Sequence, residues 1–109
     1  MEKTNHNRAQ VYVLKLTGEE NEHTVNQLLQ LLPPANQQRF SSYTNLRSKL
    51  QSISGEVLAR YASGCFESAP FNTSDIETGK NGKPSFISNN TLHFHISHSG
   101  NYIVCAVCN

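Results

Sequence analysis

The chain has 109 residues, 37% of them hydrophobic, and a formal net charge of +1, which together are typical of one small folded domain. Nine basic against eight acidic residues give no electrostatic case for duplex nucleic acid, and the longest apolar stretch, residues 102–108, is far shorter than the ~20 residues that span a bilayer. Three cysteines and a polar N-terminus without an apolar signal core predict reduced thiols in a cytoplasmic protein that binds neither nucleic acid nor a membrane.

The N-terminal residues predict a tail, a strand and the start of a helix. Residues 1–9 are polar, so we expect them to be disordered and the single domain to occupy residues 10–109. Residues 11–16 are rich in the residue types that favour strands. Thr17 with Glu20 three residues later forms a capping-box pattern, which predicts that a helix begins there.

Prolines and apolar spacing divide the next segment into three helices. Pro33 ends the first helix, and Pro34 can open a short second one over residues 35–40, because proline is tolerated at the first helical position. Thr44 or Asn45 can cap a long third helix. Its apolar stripe, with steps of three and four, consists of Leu46, Leu50, Ile53, Val57, Leu58, Tyr61, Ala62 and Cys65. Polar residues expected largely outside this stripe are Arg47, Lys49, Gln51, Glu56 and Arg60.

The C-terminal part of the chain predicts a loop and then a β-hairpin. Gly64 stands where the long helix would end, and residues 67–84 carry turn-forming prolines and glycines. Residues 92–97 alternate apolar with polar side chains, residues 99–101 supply a turn, and the apolar run that follows is typical of a fully buried central strand. This order of elements predicts an α+β fold, with a small, mostly antiparallel sheet packed against the long helix.

Two short segments are the sharpest candidates for chemistry. Residues 79–84 form a glycine-rich turn with two lysines, and such a turn lets backbone amides approach a phosphate. At the mouth of the hairpin, a protonated His98 can pair with a phosphate while Ser97 or Ser99 donates hydrogen bonds. The residues alone therefore indicate either an anion site built from two loops or a solvent-exposed turn beside a polar strand end.

These segments resemble the N-terminal half of the Sfp-type 4′-phosphopantetheinyl transferases. The resemblance lies in Gly-Lys-Pro at residues 82–84 and in Phe-His-Ile-Ser-His-Ser-Gly at residues 94–100. Residues 50–60 are also similar to that family's long helix with its Gly-x-x-Leu-x-Arg core, and Arg39 with Phe40 matches a recurrent pair. The resemblance covers residues 39–107 and implies half of a two-lobed fold.

This resemblance implies a coenzyme A site. In that family the lysine of the first motif and the Ser-His of the second hold the phosphates of coenzyme A, and a residue of the long helix helps with the nucleotide end. The corresponding positions here are Gly82, Lys83, Pro84, Ser97, His98 and Ser52. The residue before Ser52, often arginine in the family, is Gln51 here. The implied reaction moves phosphopantetheine from coenzyme A to a serine of an apo acyl or peptidyl carrier protein, with Mg²⁺ neutralising the pyrophosphate.

The metal-binding motifs of that family are not found in this sequence. Family members continue past the buried strand into a Gly-x-Asp-x-Glu motif and a later Lys-Glu-Ala motif, and this sequence ends before both. Mg²⁺ prefers carboxylate oxygens together with phosphate and water, and phosphoryl transfer depends on charge neutralisation. We therefore expect no metal site, catalytic residue or activity in this chain alone, and completion by a C-terminal half or by a second copy that covers its apolar surface.

Other functions are compatible with the same residues. Gln51 and the missing metal motifs favour a non-enzymatic interaction module on this fold, and a small anion-binding domain outside the family would bind phosphate without preferring coenzyme A. Single-domain carrier-protein synthases carry their own acidic motif and lysine, so we set them aside. Cys105 and Cys108 have metal-site spacing but point to opposite faces of a strand, and we interpret them, like Cys65, as core residues. His93 and His95 are expected on the polar outer face of the hairpin.

Overall fold

The computed structural model describes residues 8–78, 82 and 84–109, and these form a five-stranded antiparallel sheet with a long helix on one face. The elements are β1 (Ala9–Lys15), α1 (Glu22–Leu29), α2 (Pro34–Gln37), a 3₁₀ turn (Gln38–Phe40), α3 (Leu46–Phe66), β2 (Ile76–Thr78), β3 (Pro84–Phe86), β4 (Asn89–Ser99) and β5 (Tyr102–Cys108). The strand order is β1-β5-β4-β3-β2. The predicted α+β fold is confirmed. None of the described helices is both long and apolar enough to cross a membrane.

The predicted hairpin forms at the expected turn. Ser99 pairs with Tyr102, and Gly100 between them has a φ of 57°, a left-handed conformation that glycine adopts without strain. Strand β5 pairs with β4 on one edge and with β1 on the other, from Ala9 opposite Cys108 to Lys15 opposite Tyr102. The apolar run therefore lies inside the sheet, as its composition predicts.

Strand β5 is covered on one face rather than on both, so the prediction of a fully buried strand is wrong. Ile103, Cys105 and Val107 are completely buried beneath α3, whereas the residues between them are only half-buried. Burial in apolar surroundings raises the pKa of the Cys105 thiol to about 12, which keeps it neutral and unreactive. Cys108 lies on the opposite face and is half-buried, while Cys65 is exposed and does not belong to the core.

Helix α1 begins later than the capping-box pattern predicts. Asn21 is its N-cap and accepts a hydrogen bond from the Thr24 backbone N–H at 3.2 Å. The Thr17 backbone N–H does donate to the Glu20 carboxylate at 2.7 Å, but these residues close a local turn before the helix. Gly18, between them, has a φ of 91°, which no helix accommodates. The hydrogen bonds of the capping-box pattern therefore form between Thr17 and Glu20, although no helix begins at Thr17.

Helix α3 extends past its predicted end. Asn45 caps it by accepting a hydrogen bond from the Ser48 N–H at 2.9 Å, as one of the two alternatives predicted. Gly64 lies within the helix, and the position needs glycine because a Cβ atom there would stand 2.5 Å from the Pro70 carbonyl oxygen. Leu46 and Tyr61 of the predicted stripe are exposed. The polar Glu56 and Arg60, by contrast, are buried, which reverses the prediction for both.

Two segment predictions are also corrected. The predicted loop over residues 67–84 contains β2 and ends at the first residue of β3. Strand β1 begins at Ala9, within the predicted tail, and the Arg8 side chain donates a hydrogen bond to the Phe66 carbonyl at 2.7 Å. Residues 1–7 lie outside the described residues, so disorder there stays a prediction.

Candidate functional site

A cavity of about 340 Å³ lies between α3, the segment before it and strand β4. Its walls combine hydroxyl, imidazole, guanidinium and carboxylate groups with apolar side chains. The lining residues are Arg39, Phe40, Tyr43, Gln51, Ser52, Glu56, Ile76, Pro84, Phe94, Ile96 and His98. Five separate elements of the chain therefore contribute to one concave surface.

Close packing of α3 on β4 builds the floor of this cavity. A Cβ atom on Gly55 would stand 2.8 Å from Cγ2 of Ile96, so the helix backbone lies directly on the strand. The first turns of α3 lie beside the hairpin turn, where Arg47 and Gln51 donate hydrogen bonds to the Gly100 carbonyl at 3.0 and 3.5 Å. Helix and strand thus run in opposite directions, and residues early in α3 share the end of the cavity with residues late in β4.

The structure brings three of the six sequence-predicted site residues to the cavity wall. Ser52 on α3, Pro84 at the start of β3 and His98 near the end of β4 all line it. Gly82 is exposed, has a φ of 79° and does not line the cavity, although its conformation is one that glycine adopts readily. Lys83 lies outside the described residues.

Ser97 is predicted to join His98 in the site, but the two side chains leave β4 on opposite faces. Adjacent residues of a strand alternate between faces, and Ser97 stands opposite Val104 in the register with β5. His93 and His95 lie on the same outer face as Ser97. The described residues contain no group of three or more histidine, cysteine or acidic side chains that could hold a metal ion.

A buried ion cluster forms one wall of the cavity, and the sequence pattern missed it. Glu56 is only 4% exposed, and its carboxylate accepts hydrogen bonds from Arg39, from the side-chain amide of Asn36 at 3.2 Å and from Arg60 Nε at 3.4 Å. Only the i,i+4 spacing of Glu56 and Arg60 on a helix signals this pair in the sequence. The cluster places two guanidinium groups around one carboxylate.

Arg60 links this cluster to the loop that precedes β2. Its Nη1 atom donates to the carbonyl oxygens of Asn72 and Ser74 at 3.0 and 2.7 Å, and its guanidinium lies 5.4 Å from the centre of the Phe86 ring. Burial lowers the pKa of Arg60, and so does the nearby Arg39 charge, whereas Asp75 opposes that shift. The anchored loop leads directly to Ile76, which lines the cavity.

The carboxylates near this loop do not form a metal site in the cavity. Asp75 and Glu77 do form an Asp-x-Glu pair, so the interpretation that this sequence has no paired carboxylates is wrong, although residue 73 is threonine where the family motif has glycine. Ile76 between them lines the cavity and neither carboxylate does, because strand alternation directs Glu77 to the other face and Asp75 stands before the strand. The cavity therefore offers cationic and hydroxyl groups suited to an anion rather than a set of oxygen ligands for Mg²⁺.

A family profile described as "4'-phosphopantetheinyl transferase, N-terminal" matches residues 19–109. The chain belongs to this family. A curated relative, the 4'-phosphopantetheinyl transferase gsp of Aneurinibacillus migulanus, is 31% identical over 96 residues. That match covers 88% of this chain but 40% of the relative, so the chain spans less than half the length of that transferase.

The fold of this phosphopantetheinyl transferase domain is also found in a solved structure. It is similar to a holo-(acyl-carrier-protein) synthase from Bacillus anthracis, determined at 2.31 Å resolution in complex with CoA (3′,5′-ADP). The TM-score is 0.60 with 16% sequence identity, and the match covers 92% of both chains. At this identity the likeness concerns the fold alone. The family resemblance that the motifs predict is confirmed by the profile and by the curated relative.

Proposed function

We propose that residues 10–109 form the coenzyme-A-binding N-terminal half-domain of a 4′-phosphopantetheinyl transferase. The reaction would transfer phosphopantetheine from coenzyme A to a serine of an apo acyl or peptidyl carrier protein. One observation carries this proposal. Ser52, Pro84 and His98 match family motif positions on three separate elements, and all three line one cavity. A solved structure of the same fold is in complex with CoA (3′,5′-ADP), and the proposal extends that ligand to this chain.

The groups in this cavity suit the phosphates of that ligand. The imidazolium form of His98 pairs with a phosphate oxygen, and the Ser52 hydroxyl donates a hydrogen bond to the same ligand. Gly82 provides a turn whose backbone can approach a phosphate closely, and Lys83 adds a charge by family resemblance. Ser97 contacts the phosphates only through its backbone, because its side chain leaves the other face of β4.

The described residues do not fit a Mg²⁺ ion in this cavity. Glu56 is the acidic side chain that lines it, and its oxygens already accept hydrogen bonds from Arg39, Asn36 and Arg60. We propose that the ligands of any catalytic metal come from a C-terminal half or from a second copy of this chain. The chain by itself then binds coenzyme A but transfers nothing.

The outer face of the sheet supports a completing partner. Val11 and Val13 on β1 are 64% and 58% exposed, and Val104 and Ala106 beside them on β5 are only half-buried. Adjacent exposed apolar side chains of this kind mark interaction surfaces. We propose that the C-terminal half, or a second copy, covers this face in the cytoplasmic protein.

A non-enzymatic interaction module is the second candidate function. Gln51 lines the cavity where the family often has an arginine, so the site has lost one cation. This candidate keeps the fold and the exposed apolar face but does not bind coenzyme A.

Calorimetric titration of coenzyme A into the purified chain separates the two candidates. We expect binding that Ser52→Ala and His98→Ala each weaken about tenfold, the effect of one lost hydrogen bond to a charged group. Mg²⁺ should not strengthen it. The control is His23→Ala, which removes an exposed histidine of α1 and should leave the affinity unchanged. A folded wild-type chain that binds no coenzyme A would contradict the transferase proposal and favour the interaction module.

A further inference from the structure

A second cavity, of about 580 Å³, lies between β1, α3 and the end of α1, and we call it the apolar groove. Its eight lining residues are all hydrophobic, and none of them lines the cavity that contains His98. Ligand sites commonly have volumes of about 300–1,000 Å³. The groove is therefore large enough to bind a partner, and the proposed coenzyme A site makes no use of it.

The apolar groove passes along the free edge of β1. Val13 and Leu14 both line it, although consecutive residues of a strand point to opposite faces of the sheet. Strand β5 occupies one edge of β1, so a groove that reaches both faces of β1 runs along the other edge. None of the described strands pairs with that edge. The groove and the free edge thus form one continuous surface.

This edge lacks the features that usually keep an edge strand from pairing with another chain. Pairing with β5 runs without interruption from Ala9 to Lys15, so no bulge bends the strand. The strand contains no proline, and its one charged residue, Lys15, stands at its end. Prolines, bulges and central charges are common protections of such edges. Alternate N–H and C=O groups of β1 point away from β5 and are available to a further strand.

An extended strand suits this surface better than a helix or a folded domain. A helix satisfies its own backbone N–H and C=O groups and would leave those of β1 unpaired. The seven residues of β1 and the six groove residues outside it make thirteen, whereas a stable interface between two folded proteins contains about 20–30 residues on each side. A strand added to an edge pairs through its backbone and places alternate side chains in pockets.

The charges at the ends of β1 disfavour a second copy of the same strand. Arg8 precedes β1 and Lys15 ends it, and neither forms a salt bridge with a described acidic side chain. If two copies of β1 paired antiparallel over their full length, Lys15 of one copy would lie beside Arg8 of the other. Like charges across a strand pair are destabilising. A strand with acidic residues at its ends is complementary instead.

We propose that the free edge of β1 binds an extended strand of another protein, with hydrophobic side chains at alternating positions and acidic residues at both ends. The hydrophobic side chains enter the groove beside Leu31 and Tyr61, and the backbone of the added strand pairs with that of β1. The groove is separate from the cavity that contains His98, so this inference does not depend on coenzyme A binding.

A dye-labelled synthetic peptide of sequence Glu-Val-Thr-Leu-Thr-Val-Glu tests the inference by fluorescence anisotropy. Leu31→Lys puts a charge in the groove at a residue that is 53% exposed, and it should weaken peptide binding about tenfold. Leu46→Lys is the control, because Leu46 is 43% exposed and lies outside the groove, and it should leave the affinity unchanged. The same peptide with lysine at both ends should bind about threefold more weakly.

Methylation of the peptide backbone distinguishes strand addition from burial of side chains alone. One version carries N-methyl groups on its valine and leucine residues, and the other carries them on its threonine residues. Because these two sets of N–H groups point to opposite edges of an extended strand, one version should lose binding and the other should keep it. Hydrogen exchange should slow at alternate amides of residues 9–15 when the unmethylated peptide binds.

Each contrary result overturns the inference without affecting the proposed function. A folded wild-type chain that does not bind the unmethylated peptide would contradict it, and so would equal effects of the two methylated versions. If the peptide does not bind and Leu31→Lys abolishes self-association in sedimentation experiments, the groove belongs to a second copy instead. Thermal unfolding verifies that Leu31→Lys and Leu46→Lys fold, and both should bind coenzyme A as the wild type does.

Discussion

One face of the sheet packs against α3, and the other presents exposed side chains. The covered face holds the hydrophobic core. It also holds the cavity between α3 and β4, which is lined by Ser52 and His98. The outer face joins the exposed valines of β1 to a polar row on β4 that includes His95 and Ser97. A motif that is continuous in sequence is therefore divided between two surfaces. We propose that the motif at residues 94–100 serves coenzyme A with one set of side chains and a partner with the other set.

The largest expected effect concerns the buried ion cluster on the covered face. Arg60→Met keeps the apolar stem but leaves Glu56 and the Asn72 and Ser74 carbonyls without this donor. Removing one partner of a buried ion pair costs about 3–5 kcal/mol, and we expect urea denaturation to show a loss of that size. Lys49→Met on the same helix is the control and should change stability by less than about 0.5 kcal/mol. A loss for Arg60→Met as small as that of the control would mean that the cluster does not anchor the loop.

The contact between helix and sheet should be sensitive to a single methyl group. Gly55→Ala puts a Cβ atom 2.8 Å from Ile96 Cγ2, and such overpacking costs about 1–3 kcal/mol, partly offset by the higher helix propensity of alanine. Moving α3 away from β4 also separates Ser52 from His98, so coenzyme A binding should weaken.

The double variant Gly55→Ala, Ile96→Ala controls this prediction. It removes the clashing atom, and we expect it to recover coenzyme A affinity relative to Gly55→Ala alone. Titration calorimetry on the three chains measures this. Affinity unchanged by Gly55→Ala would show that the spacing of helix and strand does not set the site.

A charged residue introduced on the outer face of the sheet should weaken the association of the chain with a partner without changing its folding stability. Val13 is 58% exposed, so Val13→Lys should change the free energy of unfolding of the isolated chain by no more than about 0.5 kcal/mol. The same change should prevent a second copy, or a C-terminal half added in trans, from packing on the valines.

Sedimentation equilibrium over a range of concentrations measures this association. We expect the wild-type chain to self-associate and Val13→Lys to stay monomeric, with Asn26→Lys on α1 behaving like the wild type. A wild-type chain that is monomeric at every concentration, and that does not bind an added C-terminal half, would refute the role of this face.

The smallest expected effect lies far from both surfaces, at the turn before α1. Hydrogen bonds from Thr17, the backbone N–H foremost, lower the pKa of Glu20 below its ordinary value of 4.5. A carboxylate with a lowered pKa stabilises the fold above its unfolded-state pKa, and this contribution is lost as pH falls through the folded-state value. Thermal unfolding of Glu20→Gln should therefore show a small loss near neutral pH that vanishes in acid. A loss that is equal at both pH values would argue against this cause.

Local signals in the sequence predict some elements well. The three- and four-residue spacing of apolar residues sets α3, and alternation with the turn at Gly100 sets the hairpin. The capping pattern of Thr17 and Glu20 fails because it does not constrain where the next helix begins, and Asn21 offers a better cap. The sequence thus predicts the hydrogen bonds between Thr17 and Glu20, but it does not show which of the two possible caps, Thr17 or Asn21, begins the helix.

The remaining features depend on contacts between distant parts of the chain. Glu56 and Arg60 look solvent-exposed in a helical pattern. Arg60 is buried where the loop at Asn72 folds against it, and Glu56 is buried beside Asn36 and Arg39. The motifs did identify Ser52, Pro84 and His98 as cavity residues, but a linear motif cannot show that Ser97 leaves the strand on the other side. Arg39 was recognised as part of a pair, and only the tertiary structure reveals its place in the cavity.

The two faces of β4 provide the most direct test of the central claim, that the cavity binds coenzyme A. His98 lines the cavity, and His95 stands on the opposite face of the same strand, so the two histidines form a matched pair. Titration of coenzyme A into His98→Ala and His95→Ala should show an affinity about tenfold weaker for the first and equal to wild type for the second. Equal losses, or a loss confined to His95→Ala, would contradict the assignment of the site to this face.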